Sequence, residues 1–411
     1  MSKFLKSMIV LLAIVAMATP VMAEDMLSLG GQMRVRASTW DDGGDNTESW
    51  VDQRMRIGGK LSIADGVSIT FRFDATEKAW GQGGNTYGAG RLPQDGMQWD
   101  RAHIDLAFNS FSLRAGQQYI EVGALGGTFN AQDAGIKITT KGAVPVTAFI
   151  MIADANNVGE TDAGYAINQS TGVIEAVAAA DAADNSDGFY YGANVAFGAD
   201  AFKGNVFGAS QKKVLNAGEE VYLIGANTTF NMDAFKILAE LDFFTGDASA
   251  TADAFGTQLF VDASMAASET MTFGGQIYYA MGDDEDTQYA YLGNDFNGWD
   301  PLFDVGSGLD NGPFGATRPQ EFFGDSAGVI AGRIYGNAKV TGDLNIGASI
   351  SYLEPEEDTI TVADSALVGA LGMKYAVMSN TSLGALVEYI DVDAPNTDSE
   401  FGASVGLFVN F

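Results

Sequence analysis

The chain closes on Phe401-Gly402-Ala403-Ser404-Val405-Gly406-Leu407-Phe408-Val409-Asn410-Phe411. Counting back by twos from the terminal aromatic gives Val409, Leu407, Val405, Ala403 and Phe401, while Asn410, Gly406, Ser404 and Gly402 take most of the intervening positions. A period of two, with one apolar and one polar or small face, is the pattern of a strand whose two sides meet different surroundings. The same alternation recurs along the whole chain, so the expected fold class is all-β.

The composition supports two-faced strands. Hydrophobic residues make up 46%, with 51 Gly, 8 Pro and a mean hydropathy of +0.04, which fits neither a disordered acidic tail nor an ordinary two-layer soluble domain. A net charge of −31 leaves no basic surface for phosphates, so nucleic acid is not an expected partner. The absence of cysteine excludes disulfides, thiolate metal sites and cysteine nucleophiles, and a single histidine removes most zinc chemistry. No cofactor is expected.

Residues 1–23 carry Lys3 and Lys6, an apolar run from Met8 to Ala18, and Val21-Met22-Ala23 before Glu24. This is the pattern of a cleaved secretory signal peptide, with residues 24–411 as a single barrel domain. Beyond Ala23 no stretch approaches the ~20 apolar residues of a membrane-spanning helix.

Connections between the strands alternate in length. Short turns fall at Ala64-Asp65-Gly66, Asn109-Ser110, Gly198-Ala199-Asp200, Asn231-Met232-Asp233, Thr341-Gly342-Asp343 and Met378-Ser379-Asn380. Longer Gly-, Asp- and Asn-rich loops lie between them, the largest around 154–187 and 283–327. Short turns at one end and long loops at the other are the asymmetry of a transmembrane antiparallel up-and-down β-barrel. The expected count is roughly 18 strands, or 16 if Gly135 to Lys141 is not one, and a barrel so wide leaves an aqueous lumen. Phe pairs flank several turns, as in Phe197 and Phe202, Phe230 and Phe235, and Phe108 and Phe111. They are expected to form a lower aromatic girdle, cross-strand clamps, or both. The parity of Trp40, Trp50 and Trp99 matches the polar face and puts them at the pore mouth.

The leader, the turn asymmetry and the terminal aromatic strand together resemble Gram-negative outer-membrane β-barrels. The resemblance implies a bacterial outer-membrane location, contact with lipopolysaccharide, and a C-terminal Phe411 strand read by the assembly machinery.

The charged residues on the strands share one parity. Arg34, Arg36, Arg54, Arg56, Arg72, Arg101 and Arg114 each alternate with apolar or small neighbours, and Asp74 and Asp105 fall on the same face. Each Arg or Lys turned to lipid near the midplane costs about 2–4 kcal/mol, so exposing four of them would cost on the order of 10 kcal/mol. The charged face is therefore the lumen. The arginines concentrate in the first five strands and are expected to form a basic stripe, paired with Asp74, Asp100 and Asp105.

General diffusion porins are similar at this point, because they oppose a basic wall to acids on a third external loop folded into the barrel. Here the segment after the fifth strand, Tyr119 to Asn130, contains Gly126-Gly127 and Phe129, which look like that loop's glycine-aromatic bend. The resemblance implies a constriction formed by Glu121 and Asp133, and a homotrimer. The Pro-Glu element that precedes the bend in the family is absent. The long loops are the alternative constriction.

Most other acids fall in the loops. Asp283 to Asp286, with Asn294 and Asp295, lacks the ordered spacing of an EF-hand, which favours a solvated acidic loop over a calcium site. His103 lies between Arg101 and Asp105 on the lumen face and is expected to be a wall residue, not a catalytic base; no enzymatic activity is expected. The function expected is passive diffusion of small hydrophilic solutes and ions. The alternative is a substrate-specific channel, with the arginines guiding anions or with Tyr190, Tyr278 and Phe260 forming an aromatic track for sugars.

Overall fold

The computed structural model describes residues 26–41, 43–44, 47–80, 98–123, 129–153, 164–167, 174–177, 188–199, 201–212, 218–282, 287–288, 323, 327–357, 363–395 and 398–411. The leader and the acidic run Asp283 to Asp286 lie outside these residues, as does most of the two longest loops.

Among the described residues eighteen strands follow one another around a barrel. They begin with β1 (Leu27–Asp41), β2 (Thr47–Ala64), β3 (Val67–Ala79), β4 (Gln98–Ala107), β5 (Phe111–Val122) and β6 (Phe129–Thr140). They continue with β7 (Val146–Ala153), β8 (Gly188–Ala199), β9 (Phe202–Lys212), β10 (Glu220–Met232), β11 (Phe235–Asp247) and β12 (Asp253–Ser268). The last six are β13 (Met271–Ala280), β14 (Val329–Lys339), β15 (Leu344–Glu354), β16 (Ser365–Met378), β17 (Thr381–Asp393) and β18 (Glu400–Asn410). Each pairs antiparallel with its chain neighbour, and β18 pairs with β1 to close the wall. A two-stranded hairpin, Gly164–Ile167 with Ile174–Val177, and the two-residue segment Thr287–Gln288 are additional. The doubtful segment from Gly135 onward belongs to β6, which makes the count eighteen.

Local chemistry sets the turns. Gly66 has φ of +71° in the β2–β3 turn, and Asp233, which begins the β10–β11 turn, has φ of +44°. At the seam the Gly31 amide donates to the Phe411 carbonyl at 2.8 Å, and the Phe411 amide donates back at 3.0 Å. The pair leaves no unpaired edge at the join.

Burial separates the two faces. Along β7 Phe149, Met151 and Ala153 are buried while Ile150 and Ile152 are exposed. The exposed apolar residues form a belt around the barrel, including Ile136, Val206, Ile224, Phe243, Ile334 and Leu371. The turn-flanking phenylalanines serve both expected roles. Phe202, Phe230 and Phe235 are exposed at the lower rim, and the Phe197–Phe202 and Phe202–Phe230 rings pack at 5.8 and 4.8 Å.

One tryptophan departs from the expectation. Arg72 pairs with Arg101 and Phe73 with Trp99, so Asp100 is an extra, unpaired residue in β4. This β-bulge reverses parity at that point. Trp99 consequently lies exposed on the outer face, against Phe71 and Phe73 at 6.5 and 5.4 Å, and not at the pore mouth.

Candidate functional site

The inner face of β1 to β5 carries the arginines in cross-strand rows. Arg34 stands opposite Arg54 and Arg36 opposite Asp52; Gln32 faces Arg56, and Arg72 faces Arg101. Asp105 stands opposite Arg114, which faces Lys137 on β6. Like charges placed directly opposite are destabilising, so each row needs an acid nearby. Asp52 lies 3.0 Å from Arg36 and 3.9 Å from Arg34. Arg56 grips Asp74 through two hydrogen bonds of 2.6 and 3.1 Å, the bidentate fork that guanidinium and carboxylate favour. The bulged Asp100 inserts between the opposed Arg72 and Arg101; it is hydrogen-bonded to Arg72 and is 4.0 Å from Arg101. Asp105 accepts from Arg114 at 2.7 Å and from Thr70 at 3.1 Å, and its other contact is the His103 ring nitrogen at 3.2 Å. His103 is buried there as part of the charged wall.

The segment after β4 gives the barrel its interior shape. Pairing between β4 and β5 stops at Ala102 opposite Gln117, and pairing between β6 and β7 stops at Ala134 opposite Ile152. From Gln118 to Val122 and from Phe129 to Asp133, β5 and β6 pair only with each other. The ribbon leaves the wall where Gly116 stands opposite Gly135. Gly116 has φ of +122°, and a Cβ there would meet the Ala102 carbonyl at 2.4 Å. A Cβ on Gly135 would meet the Ile150 carbonyl at 2.3 Å, so only glycine fits either side of the bend.

One face of the ribbon, Ile120, Val122, Phe129 and Ala131, is buried in a cluster with the inward side chains Phe149, Met151, Phe207, Leu223 and Phe244 of β7 to β11. Phe129 stacks on Phe149 at 5.5 Å and meets Tyr190 edge-on at 5.5 Å. The opposite face is turned toward the arginines. Tyr119 lies under Arg101, 5.8 Å from guanidinium carbon to ring centroid, and Gln132 donates to the Asp100 backbone carbonyl at 3.1 Å and to its carboxylate. Glu121 is exposed on this face, within electrostatic reach of Arg101 and Lys137. Asp133 is on the other face, close to Tyr190, so the ribbon holds the two acids apart.

Half of the expected loop from Tyr119 to Asn130 is thus strand, with residues 123–128 between its arms. The aromatic track for sugars is not formed. Phe260 and Tyr278 are buried with Val329, Leu353 and Ile390 in a second inward cluster joined by Phe323, and Tyr190 packs on Phe129. Inward apolar residues are covered here because a bare apolar wall facing water is unfavourable. A signal for this cover was present in the sequence. Phe149-Ile150-Met151-Ile152 and Phe243-Phe244 are apolar on both faces, which a strand lining open water would not be.

No protein-family model and no curated protein matches the sequence. Solved structures match it along almost its whole length. OpdK of Pseudomonas aeruginosa, solved with vanillate, is 10% identical with a TM-score of 0.58, covering 93% of this chain and 99% of that one. OccAB1 of Acinetobacter baumannii is 14% identical with a TM-score of 0.58, covering 96% and 98%. OccK2 of Pseudomonas aeruginosa, solved with glucuronate, is 8% identical with a TM-score of 0.58, covering 94% and 98%. The chain has the fold of a bacterial outer-membrane porin. In this porin fold the polar face of the β5–β6 ribbon is turned toward the charged rows and touches them at Arg101 and Asp100.

Proposed function

We propose that the chain forms a passive outer-membrane channel for small hydrophilic solutes and ions, with its path between the arginine rows of β1 to β5 and the polar face of the β5–β6 ribbon. Arg34, Arg36, Arg54, Arg56, Arg72, Arg101 and Arg114, with Asp74 and Asp105, line that path, and Glu121 narrows it from the opposite side. The observation that carries this reading is the division of charge across the wall: ionised side chains inside a closed barrel, an apolar belt outside. Solutes move down their gradient, and no covalent step or cofactor is involved.

The alternative, a channel selective for anionic solutes, has specific support in the excess of basic over acidic side chains on the inner rows. The ligands named for OpdK and OccK2, vanillate and glucuronate, are both carboxylates. The reading also includes a homotrimer seated among lipopolysaccharide, with Phe411 as the recognition end for barrel assembly.

Single-channel recording of the refolded protein across a salt gradient tests both versions. Large ohmic steps with a weak anion preference support the open channel, and small steps blocked by one solute class support the selective one. Absence of conductance refutes both. Steps in multiples of three support the trimer.

A further inference from the structure

The inner face at the seam carries a second arrangement, at the end of the barrel away from the short turns. Trp40, near the end of β1, stands opposite Glu48 on one side and Gly402 on the other, and Gly402 stands opposite Glu388 of β17. One row deeper Trp50 stands opposite Ser38, whose hydroxyl meets that of Ser404 at 3.0 Å. The row below holds Arg36 and Asp52 of the lumen wall, so all three rows face inward. Gly402 projects no side chain and the two serines are short, so the half-buried indoles and Glu388 border a shallow floor. Glu400, two residues before Gly402, adds a third carboxylate at the rim. Glu388 is 1% exposed, and neither of its carboxylate oxygens accepts a hydrogen bond. The cation that acts on it, Arg333, comes from β14, three strands away, and donates to Gln276 at 3.3 Å. Arg36 is held by Asp52 through two bonds of 3.0 Å.

We propose that this patch of tryptophans and carboxylates binds a compact organic cation with N–H donors, an alkylammonium or guanidinium group, as the solute enters. The inference rests on the channel reading above, which gives the solute its way in. A buried carboxylate without a donor is costly, and a cationic N–H group brings both the hydrogen bond and the opposite charge. Indole faces attract cations more strongly than other aromatic faces do. Trp40 and Trp50 are diagonal cross-strand neighbours, a relation that spaces residues about 7–8 Å apart and lets two rings flank one small group. A neutral sugar would stack on the indoles yet bring no charge to Glu388. A bare metal ion fits less well, because among the described residues no three carboxylates converge to hold one.

The experiment compares n-butylammonium with glucose, in KCl of matched ionic strength at pH 8, as calorimetric ligands of the detergent-solubilised protein and as blockers of the KCl current. Butylammonium is expected to bind at least roughly tenfold more tightly than glucose. Glu388→Gln, which keeps the volume and removes the charge, should weaken butylammonium about tenfold. Trp40→Leu should weaken it about threefold or more while the acids remain. Glu388→Gln keeps the test decisive if Trp40→Leu fails to fold, as judged by the heat-resistant band on a gel. Butylammonium affinity unchanged in Glu388→Gln overturns the site. Glucose binding as tightly as butylammonium, in parent and Glu388→Gln alike, also overturns it and makes the tryptophans a sugar platform. Absence of any KCl current refutes the channel reading, whereas the calorimetric titration needs no current and decides the site separately.

Discussion

Replacing Phe129 by Ala should loosen the β5–β6 ribbon while leaving the barrel wall standing. Phe129 is fully buried, between Phe149 and Tyr190, and with Ile120 and Val122 it supplies most of the apolar surface that docks the ribbon. Removing a buried phenyl ring costs about 3–4 kcal/mol from lost transfer energy and the cavity left behind. Roughly 1 kcal/mol of that reflects the two ring contacts. The loss raises the undocked population on the order of 10² to 10³ fold. Beyond Gln118 and Asp133 the ribbon shares no ladder with β4 or β7, so undocking breaks no ladder hydrogen bond of the wall and costs only side-chain bonds such as those from Gln132 to Asp100. The expected result in a planar bilayer is larger conductance and stronger open-channel noise, with the heat-resistant band of the folded barrel retained on a gel. Conductance and noise equal to the parent's would refute docking through Phe129. Loss of the full 3–4 kcal/mol from barrel stability, with normal conductance, would show that ribbon and wall unfold as one unit.

Arg56→Gln removes the fork that holds Asp74 and leaves that carboxylate in place, so the reversal potential should move toward cation preference, with a stability loss of about 1–3 kcal/mol; an unchanged potential would place Arg56 off the permeation path. The shift should shrink in high salt, where the Debye length falls from about 8 Å to about 3 Å. Gly31→Ala should slow folding into vesicles, followed as the band shift, because the new Cβ meets the Phe411 ring and the Arg56 carbonyl, each at 2.5 Å. Trp99→Phe should reduce the quenching of tryptophan fluorescence by brominated lipids, and equal quenching in the variant would put Trp99 away from the lipid face.

The wall was legible in the sequence because strand parity is a local property: an arginine at Arg34 or Arg114 has one affordable direction, and the turn residues mark where each strand ends. The interior was less legible. The ribbon's departure depends on Gly116 meeting Gly135 across two strands, a coincidence of register that neither glycine announces alone. Glu121 and Asp133 were paired by resemblance, yet the two arms of a ribbon have opposite numbering parity relative to one face, and the register puts the acids on different sides. Trp99 was misplaced because a single extra residue cannot be detected by counting alternation through it.

That extra residue has a bearing on how such a wall can change over generations. In a strictly alternating strand every functional gain is a substitution, and what stood there before is lost. Asp100 sits between Trp99, which looks out, and Arg101, which looks in, and deleting it would leave both neighbours facing as they do now. The carboxylate is an addition to the strand, not an exchange within it. Insertion of one codon at this site supplies an anchor for Arg72 and Gln132 without disturbing lipid contact on one side or charge on the other. Ala75, the unpaired residue beside Asp74 in β3, has the same relation to its neighbours. Strands with such silent insertion points can acquire new chemistry at the lumen without first giving any up.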